Sequence, residues 1–159
     1  MKYIQYGLAL AVLVGVVWIA ADRPSIDTLV FRGLADASAI EALDADWLVL
    51  ADDEDNQLRL YRRDQPGAPI QQTDLRAFLE LKQGNQQRSR EVDIEGSARI
   101  GDHIFWISSH GRNALGKPAP ERRRFFCTRV DARDGVPQLV PEGPVITNLL
   151  ERLEADPRL

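Results

Sequence analysis

Four carboxylates and an amide stand in five consecutive residues, Asp52-Asp-Glu-Asp-Asn56. Hard oxygen donors of this kind are what Ca²⁺ prefers. The run is not an EF-hand loop: Gln57 stands where the sharp turn needs glycine, and Arg63 where a bidentate glutamate would fall. A short acidic turn needs help from elsewhere to hold an ion, and Asp93 and Glu95 are placed to give it. The candidate metal ligands are therefore Asp52, Asp53, Asp55, Asp93 and Glu95, with calcium as the ion. The competing reading is a solvated hairpin turn in which Asp and Asn accept local backbone hydrogen bonds.

A second group, Ser108-Ser-His-Gly-Arg-Asn113, puts a hydroxyl, an imidazole and a guanidinium at the end of an apolar run. These are the types needed for nucleophile, general base and anion clamp. His110 is the candidate base, His110 and Arg112 are the candidate substrate contacts, and Glu95 is an alternative base if burial raises its pKa. A structural loop is the competing reading. No Gly-x-Ser-x-Gly elbow, cysteine metal pair, phosphate-binding glycine loop or dinucleotide fingerprint is present. Arg122-Arg-Arg124 beside Phe125-Phe126 offers a further anion contact, suited to phosphate or anionic lipid. More often such a run is a strand entry whose charges stay in water.

The elements that must carry these groups read mainly as strands, because the apolar pattern has period two. Candidates are residues 28–32, 38–43, 47–51, 57–62, 93–100, 103–108, 124–130 and a short edge strand at 137–141, limited by its prolines. The acidic turn joins 47–51 to 57–62 as a hairpin. Asp74 is placed to cap a short helix over 75–81, and Thr147 or Asn148 one over 149–154. Residues 102–106 repeat the pattern of 46–50 at an offset of 56. Repeats of short antiparallel strands at this spacing indicate β-propeller blades, with a β-sandwich as the competing architecture. About two units cannot close a ring, so a piece of a longer propeller is expected.

The N-terminus carries an address. Residues 3–21 are uncharged and mostly apolar, flanked by Lys2 and Asp22. As a helix they span roughly the 30 Å core of a bilayer. Ile19 or Trp18 would occupy position −3 of a cut after Ala21 or Ala20, which suits an uncleaved anchor better than a signal peptide. Lys2 then keeps the N-terminus cytoplasmic and sends residues 22–159 across the membrane. The expected location is an inner membrane with a periplasmic domain, or a secreted or periplasmic protein if the segment is cleaved. Cys127 is the only cysteine, so no internal disulfide supports the domain, and a small buried hydrophobe is its expected role. The net charge of −4 argues against nucleic acid as a partner.

Four stretches resemble the N-terminal part of the bacterial family known as domain of unknown function 3616: Phe31-Arg-Gly-Leu-Ala-Asp-Ala-Ser-Ala39, residues 50–62, Asp93-Ile-Glu-Gly-Ser-Ala-Arg99 and Trp106-Ile-Ser-Ser-His-Gly-Arg-Asn113. The string Ala51-Asp-Asp-Glu-Asp-Asn56 is the most specific piece. The resemblance implies a propeller-like fold in a chain longer than this one. Ile94-Glu-Gly96 is also similar to the Glu-Gly element of phytase-like and esterase-like propellers, where channel carboxylates bind calcium. The expectation is a mainly all-β, partial propeller of about two blades over 22–159, behind a membrane or signal helix at 1–21, with short accessory helices. Its expected role is binding or scaffolding of a small molecule or protein. The alternative is calcium-assisted hydrolysis of phosphate or carboxylic esters.

Overall fold

The computed structural model describes residues 28–81, 90–132 and 135–159. The expected membrane or signal segment lies outside the described residues, among which no helix is long and apolar enough to cross a membrane. Eight strands form two four-stranded antiparallel sheets, each with its strands side by side in chain order. Sheet 1 holds β1 (Ala37–Ala42), β2 (Trp47–Asp52), β3 (Gln57–Arg62) and β4 (Gln71–Asp74). Sheet 2 holds β5 (Ile94–Ile100), β6 (His103–Ser108), β7 (Phe125–Asp131) and β8 (Gln138–Ile146). One short helix, α1 (Leu149–Glu154), follows β8.

Sheet 2 repeats sheet 1 in detail. The β2 and β6 spans differ by the offset of 56 seen in the sequence. β1 is irregular between Ala37 and Ala39 where it pairs with β2, and β5 between Ile94 and Gly96 where it pairs with β6. Ser38 and Glu95 are thus the extra residues of matching bulges, which bend a strand and redirect its side chains. Gly96 is needed at the second bulge because a Cβ there would meet the Ile107 side chain at 3.2 Å. At the β5–β6 turn Gly101 has φ +64°, a left-handed conformation that favours glycine and suits a two-residue hairpin.

The alternation of side chains decides how the sheets meet. Trp47, Val49, Ala51, Leu58 and Leu60 come from one face of sheet 1, and Ile104, Trp106 and Phe126 from one face of sheet 2; all are buried in a single core. Trp106 is fully buried, and its indole Nε1 donates to Thr128 Oγ1 at 3.0 Å. β1 lies beside β5, and Arg99 Nη1 ties the sheets by donating to the Ala42 carbonyl at 3.0 Å and to that of Leu43. At the other end buried Asn56 donates to the Arg90 carbonyl and accepts from Val92 N–H.

The second face of sheet 1 is covered by the segment expected to be a strand at 28–32. It makes one isolated parallel bridge, Phe31 to Gly67, and forms no strand. It acts as a cover instead: Phe31 meets Tyr61 edge-on at 5.2 Å, and Tyr61 donates its hydroxyl to the Arg32 carbonyl at 2.9 Å. The outward face of sheet 2, which carries Phe105 and Ile107, has no such cover among the described residues.

Three further expectations are corrected. Residues 75–81 form a single turn, since Leu79 N–H reaches the Leu75 carbonyl but Glu80 has φ +52° and ends the helical path. Asp74 Oδ1 accepts from Arg76 N–H in a local turn. β8 runs to Ile146 rather than stopping at 141, because it is an edge strand: Pro141 stays in register opposite Thr128, and Pro144 falls where the pairing with β7 is interrupted. Cys127 is half-buried rather than buried, because it lies on the uncovered face of sheet 2.

Candidate functional site

The end of β2 and the start of β5 meet where the two sheets adjoin. Asp53 N–H donates to the Asp36 carbonyl at 3.2 Å, and in the repeat Ser109 N–H donates to the Asp93 carbonyl at 2.8 Å. Each contact fixes the backbone at this end of its own sheet. Carboxylate oxygens of Asp53, Asp93 and Glu95 lie within 4.8 Å of one another. Asp53 is half-buried, Asp93 buried and Glu95 exposed. The Asp53 Oδ1 atom is closed off from solvent and has no hydrogen-bond partner.

The five residues singled out as metal ligands therefore divide. Asp52, although fully buried, is spent on the backbone: its Oδ2 accepts from Ala35 N–H at 2.6 Å and its Oδ1 from Glu54 N–H at 3.0 Å. Asp55 accepts from both terminal nitrogens of Arg59, with which it forms an ion pair. Neither joins the cluster. Strand alternation explains part of this division, since neighbouring residues at the end of β2 point to opposite faces.

The cluster already contains a cation that sequence reading assigned to the solvent. Arg122 Nη1 lies 2.6 Å from Asp93 Oδ2, and its Nη2 3.7 Å from Glu91 Oε2. The neighbouring short turn, residues 120–122, starts at Pro120, which sets its direction. Asp36 was missed as well; its carboxylate adds to the negative field on Asp53 and Glu95. The signal for it was the repeat itself, because Asp36 stands immediately before β1 as Asp93 stands immediately before β5.

Burial pushes the Asp53 carboxyl above the usual carboxylate range, reinforced by Asp36 and Asp93. Partial desolvation does the same to Glu95, with Asp93 and Asp53 adding to it and Arg122 opposing it. Between the unfolded and folded pKa the native state holds the extra proton, so this contribution to stability is present at low pH and lost as pH rises through the folded value. Asp53→Asn should therefore raise the melting temperature at neutral pH, and the gain should shrink as the pH falls toward 4. Thermal unfolding of the two proteins across that range, without divalent cations, checks it.

His110 sits in the loop after β6 with φ +52°, held by its N–H to the Arg122 carbonyl. Its Nδ1 is 2.8 Å from the Ser108 carbonyl. A carbonyl only accepts, so Nδ1 carries a proton, and the other ring nitrogen is Nε2. That Nε2 is closed off from solvent and has no partner. Arg112 is committed locally, donating from Nη1 to the Gly116 carbonyl at 3.0 Å. It is exposed and braces the loop. Ser108 Oγ is likewise occupied, bridging to the Arg124 backbone.

The fold defines a two-sheet β protein built from an internal repeat, with a mixed carboxylate and arginine cluster where the repeats adjoin. The family described as "Protein of unknown function (DUF3616)" has a model that matches residues 36–124, more than half of the chain, and the chain belongs to that family. The match starts at Asp36 and ends at Arg124, so it takes in the whole cluster. No curated protein and no solved structure matches the chain.

Proposed function

We propose that this is a binding or scaffold domain of the β-propeller type, in which the two sheets are successive blades and the uncovered face of the second receives another sheet. The observation that carries this reading is a mismatch between equivalent positions. Val49 and Ala51 are completely buried in sheet 1, whereas their equivalents in sheet 2, Phe105 and Ile107, are half-buried and 37% exposed. Phe105 stacks on Phe125 at 5.9 Å, and together with Cys127, Pro144 and Ile146 they border a hollow of about 270 Å³. Sheet 1 uses this same face to pack on sheet 2. An apolar sheet face that serves as core in one repeat and stands open in the next marks an interaction surface.

The domain is read as exported, anchored in the inner membrane or released after cleavage. The support lies in the sequence alone: the uncharged run 3–21 behind Lys2. Sedimentation velocity of the full chain in detergent tests the binding face. The wild type should self-associate through it and Phe105→Asp should sediment as a monomer; identical profiles would overturn the reading.

A second reading, calcium-assisted ester hydrolysis, is favoured by one observation: Asp53, whose Oδ1 has no hydrogen-bond partner, brings its carboxylate together with those of Asp93 and Glu95. The donor set fits a hard cation, but Arg122 already occupies Asp93, so Asp53 and Glu95 would be the chief ligands. A bound calcium would polarise the ester and activate water. His110, its ring held by the Ser108 carbonyl and its Nε2 closed off from solvent, would have to turn before it could take a proton from that water. Calorimetric titration of the full chain with calcium should give micromolar binding, and ester turnover should be lost in Glu95→Ala. Absence of calcium heat from a folded sample would sink this second reading and leave the first untouched.

A further inference from the structure

The open face of sheet 2 is apolar at one end and charged at the other. Ile104 and Trp106 of β6 and Phe126 and Thr128 of β7 are buried, so alternation turns His103, Phe105 and Ile107, and Phe125, Cys127 and Arg129, to the open side. On β8, Ile146 lies opposite Phe125 and Glu142 opposite Cys127. The hollow of about 270 Å³ reaches both ends: Phe125 and Ile146 border it, and so do His103 and Glu142.

His103 stands between two carboxylates. Its Nδ1 is 2.7 Å from Asp102 Oδ1 in the β5–β6 turn, and its Nε2 is 3.6 Å from Glu142 Oε2 on β8. On β7, Arg129 lies directly opposite His103; its Nε donates to that same Glu142 oxygen at 3.0 Å, and its Nη1 is 3.5 Å from Asp131 Oδ2. On β5, Ile100 lies opposite the ring, and Arg99 is turned away to the Ala42 and Leu43 carbonyls. A neutral imidazole has one N–H and one lone pair, so it offers a hydrogen to one carboxylate only, whereas an imidazolium offers one to each. Glu142 already has Arg129, but among the described residues Asp102 meets no cation other than His103. Asp102 and Glu142 together therefore lack one positive charge until His103 takes a proton.

We propose that protonation of His103 balances the charge of this face and strengthens its docking to a second copy of the chain. The inference rests on the reading of the face as a docking surface. A second copy is the occupant because the equivalent face of sheet 1 is covered by a sheet of the same repeat, which another copy also carries. A sheet seated on the hollow takes Glu142 and its neighbours out of water, and a charge without a partner then costs far more than a paired one. Neutral His103 leaves one carboxylate unmatched in the interface, and the imidazolium matches it. Histidine is the side chain suited to this, since its charge changes between about pH 5 and 8. The chain's other histidine, His110, lies in the loop after β6, away from this face. Burial and Glu142 hold the Cys127 thiol in its neutral form over the same range. Docking thus takes up a proton, and by linkage it strengthens as the pH falls.

The experiment is sedimentation velocity of the full chain in detergent at about pH 6 and about pH 8, on either side of the histidine range. The wild-type dissociation constant should be at least about fivefold larger at the higher pH, below the ceiling of about a hundredfold that uptake of one proton sets over that interval. His103→Gln should associate with equal affinity at both. Glu142→Gln removes the surplus carboxylate for good, and at the higher pH it should associate as tightly as the wild type does at the lower. Neither side chain belongs to the core, so both variants keep the fold. A wild type indifferent to pH, a His103→Gln protein that keeps the full response, or a Glu142→Gln protein no tighter than wild type at the higher pH would overturn the role of His103 and leave the docking face standing. Wild type and Phe105→Asp sedimenting alike at both pH values would instead overturn the docking face, and the role of His103 with it.

Discussion

Val49→Asp should leave the chain unfolded at 25 °C, whereas Phe105→Asp, the same change at the equivalent place in the second sheet, should leave it folded. Val49 is completely enclosed between the sheets, and among the described residues the one buried cation, Arg59, lies on the opposite face of sheet 1. An unpaired buried charge costs more than about 4 kcal/mol, a large share of the roughly 5–15 kcal/mol that holds a domain together. Phe105 is half-exposed on the open face, so an aspartate there keeps its water. Its cost is the lost stacking on Phe125, about 1 kcal/mol, together with some lost apolar contact. Far-ultraviolet circular dichroism and urea unfolding of the two variants check the contrast. If both unfold, the second face of sheet 2 is core and not a binding surface.

The second large effect belongs to Trp106. Replacing it by alanine should cost about 3–5 kcal/mol, because the indole fills the space between the sheets and the cavity it leaves is lined by side chains of both. Loss of the indole N–H also strips Thr128 Oγ1, which is fully buried, of its donor. Trp106→Phe separates the two contributions. It restores most of the packing and not the hydrogen bond, and should cost about 1–3 kcal/mol. A urea midpoint for Trp106→Phe as low as that of Trp106→Ala would show that the hydrogen bond, rather than the packing, dominates at this position.

Much of the fold was legible because burial in this chain follows alternation. β2, β3 and β6 could be read directly, since Val49, Leu58, Leu60, Ile104 and Trp106 recur with period two and turns of Asp, Asn and Gly bound them. The repeat at 56 followed from the same residues. β4 was missed because Gln71-Gln-Thr-Asp74 has no apolar member; its ladder to β3 is made by the backbone. Residues 28–32 show strand-like composition, yet Phe31 covers Tyr61 while Leu29 and Val30 stay exposed, and the segment extends no sheet. Leu75 and Leu79 have the spacing of a helix and both are buried, but one turn suffices to bury them.

The site was legible in composition and not in direction. Four carboxylates in a row marked the end of β2, but Asp52 turns to backbone amides at Ala35 and Glu54, Asp55 to Arg59, and Asp53 to Asp93 and Glu95 on the neighbouring sheet. Asp53 met Asp93 and Glu95 because two bulged strands lie side by side. Arg122 and Arg124 look alike in the string Arg122-Arg-Arg124. One closes on Asp93, and the other pairs with no carboxylate among the described residues. Linear spacing does not distinguish them.

The uncovered face of sheet 2 carries the account, and Cys127 gives direct access to it. The only cysteine of the chain lies half-buried on that face, beside Phe105 and Phe125. Burial and the Glu142 carboxylate push its thiol pKa up, so labelling with a maleimide is best followed at mildly alkaline pH. The account predicts rapid labelling of the full chain at low protein concentration and protection as concentration rises, with protection absent in Phe105→Asp. A labelling rate that is independent of concentration, and the same in both proteins, would show that this face meets no partner sheet.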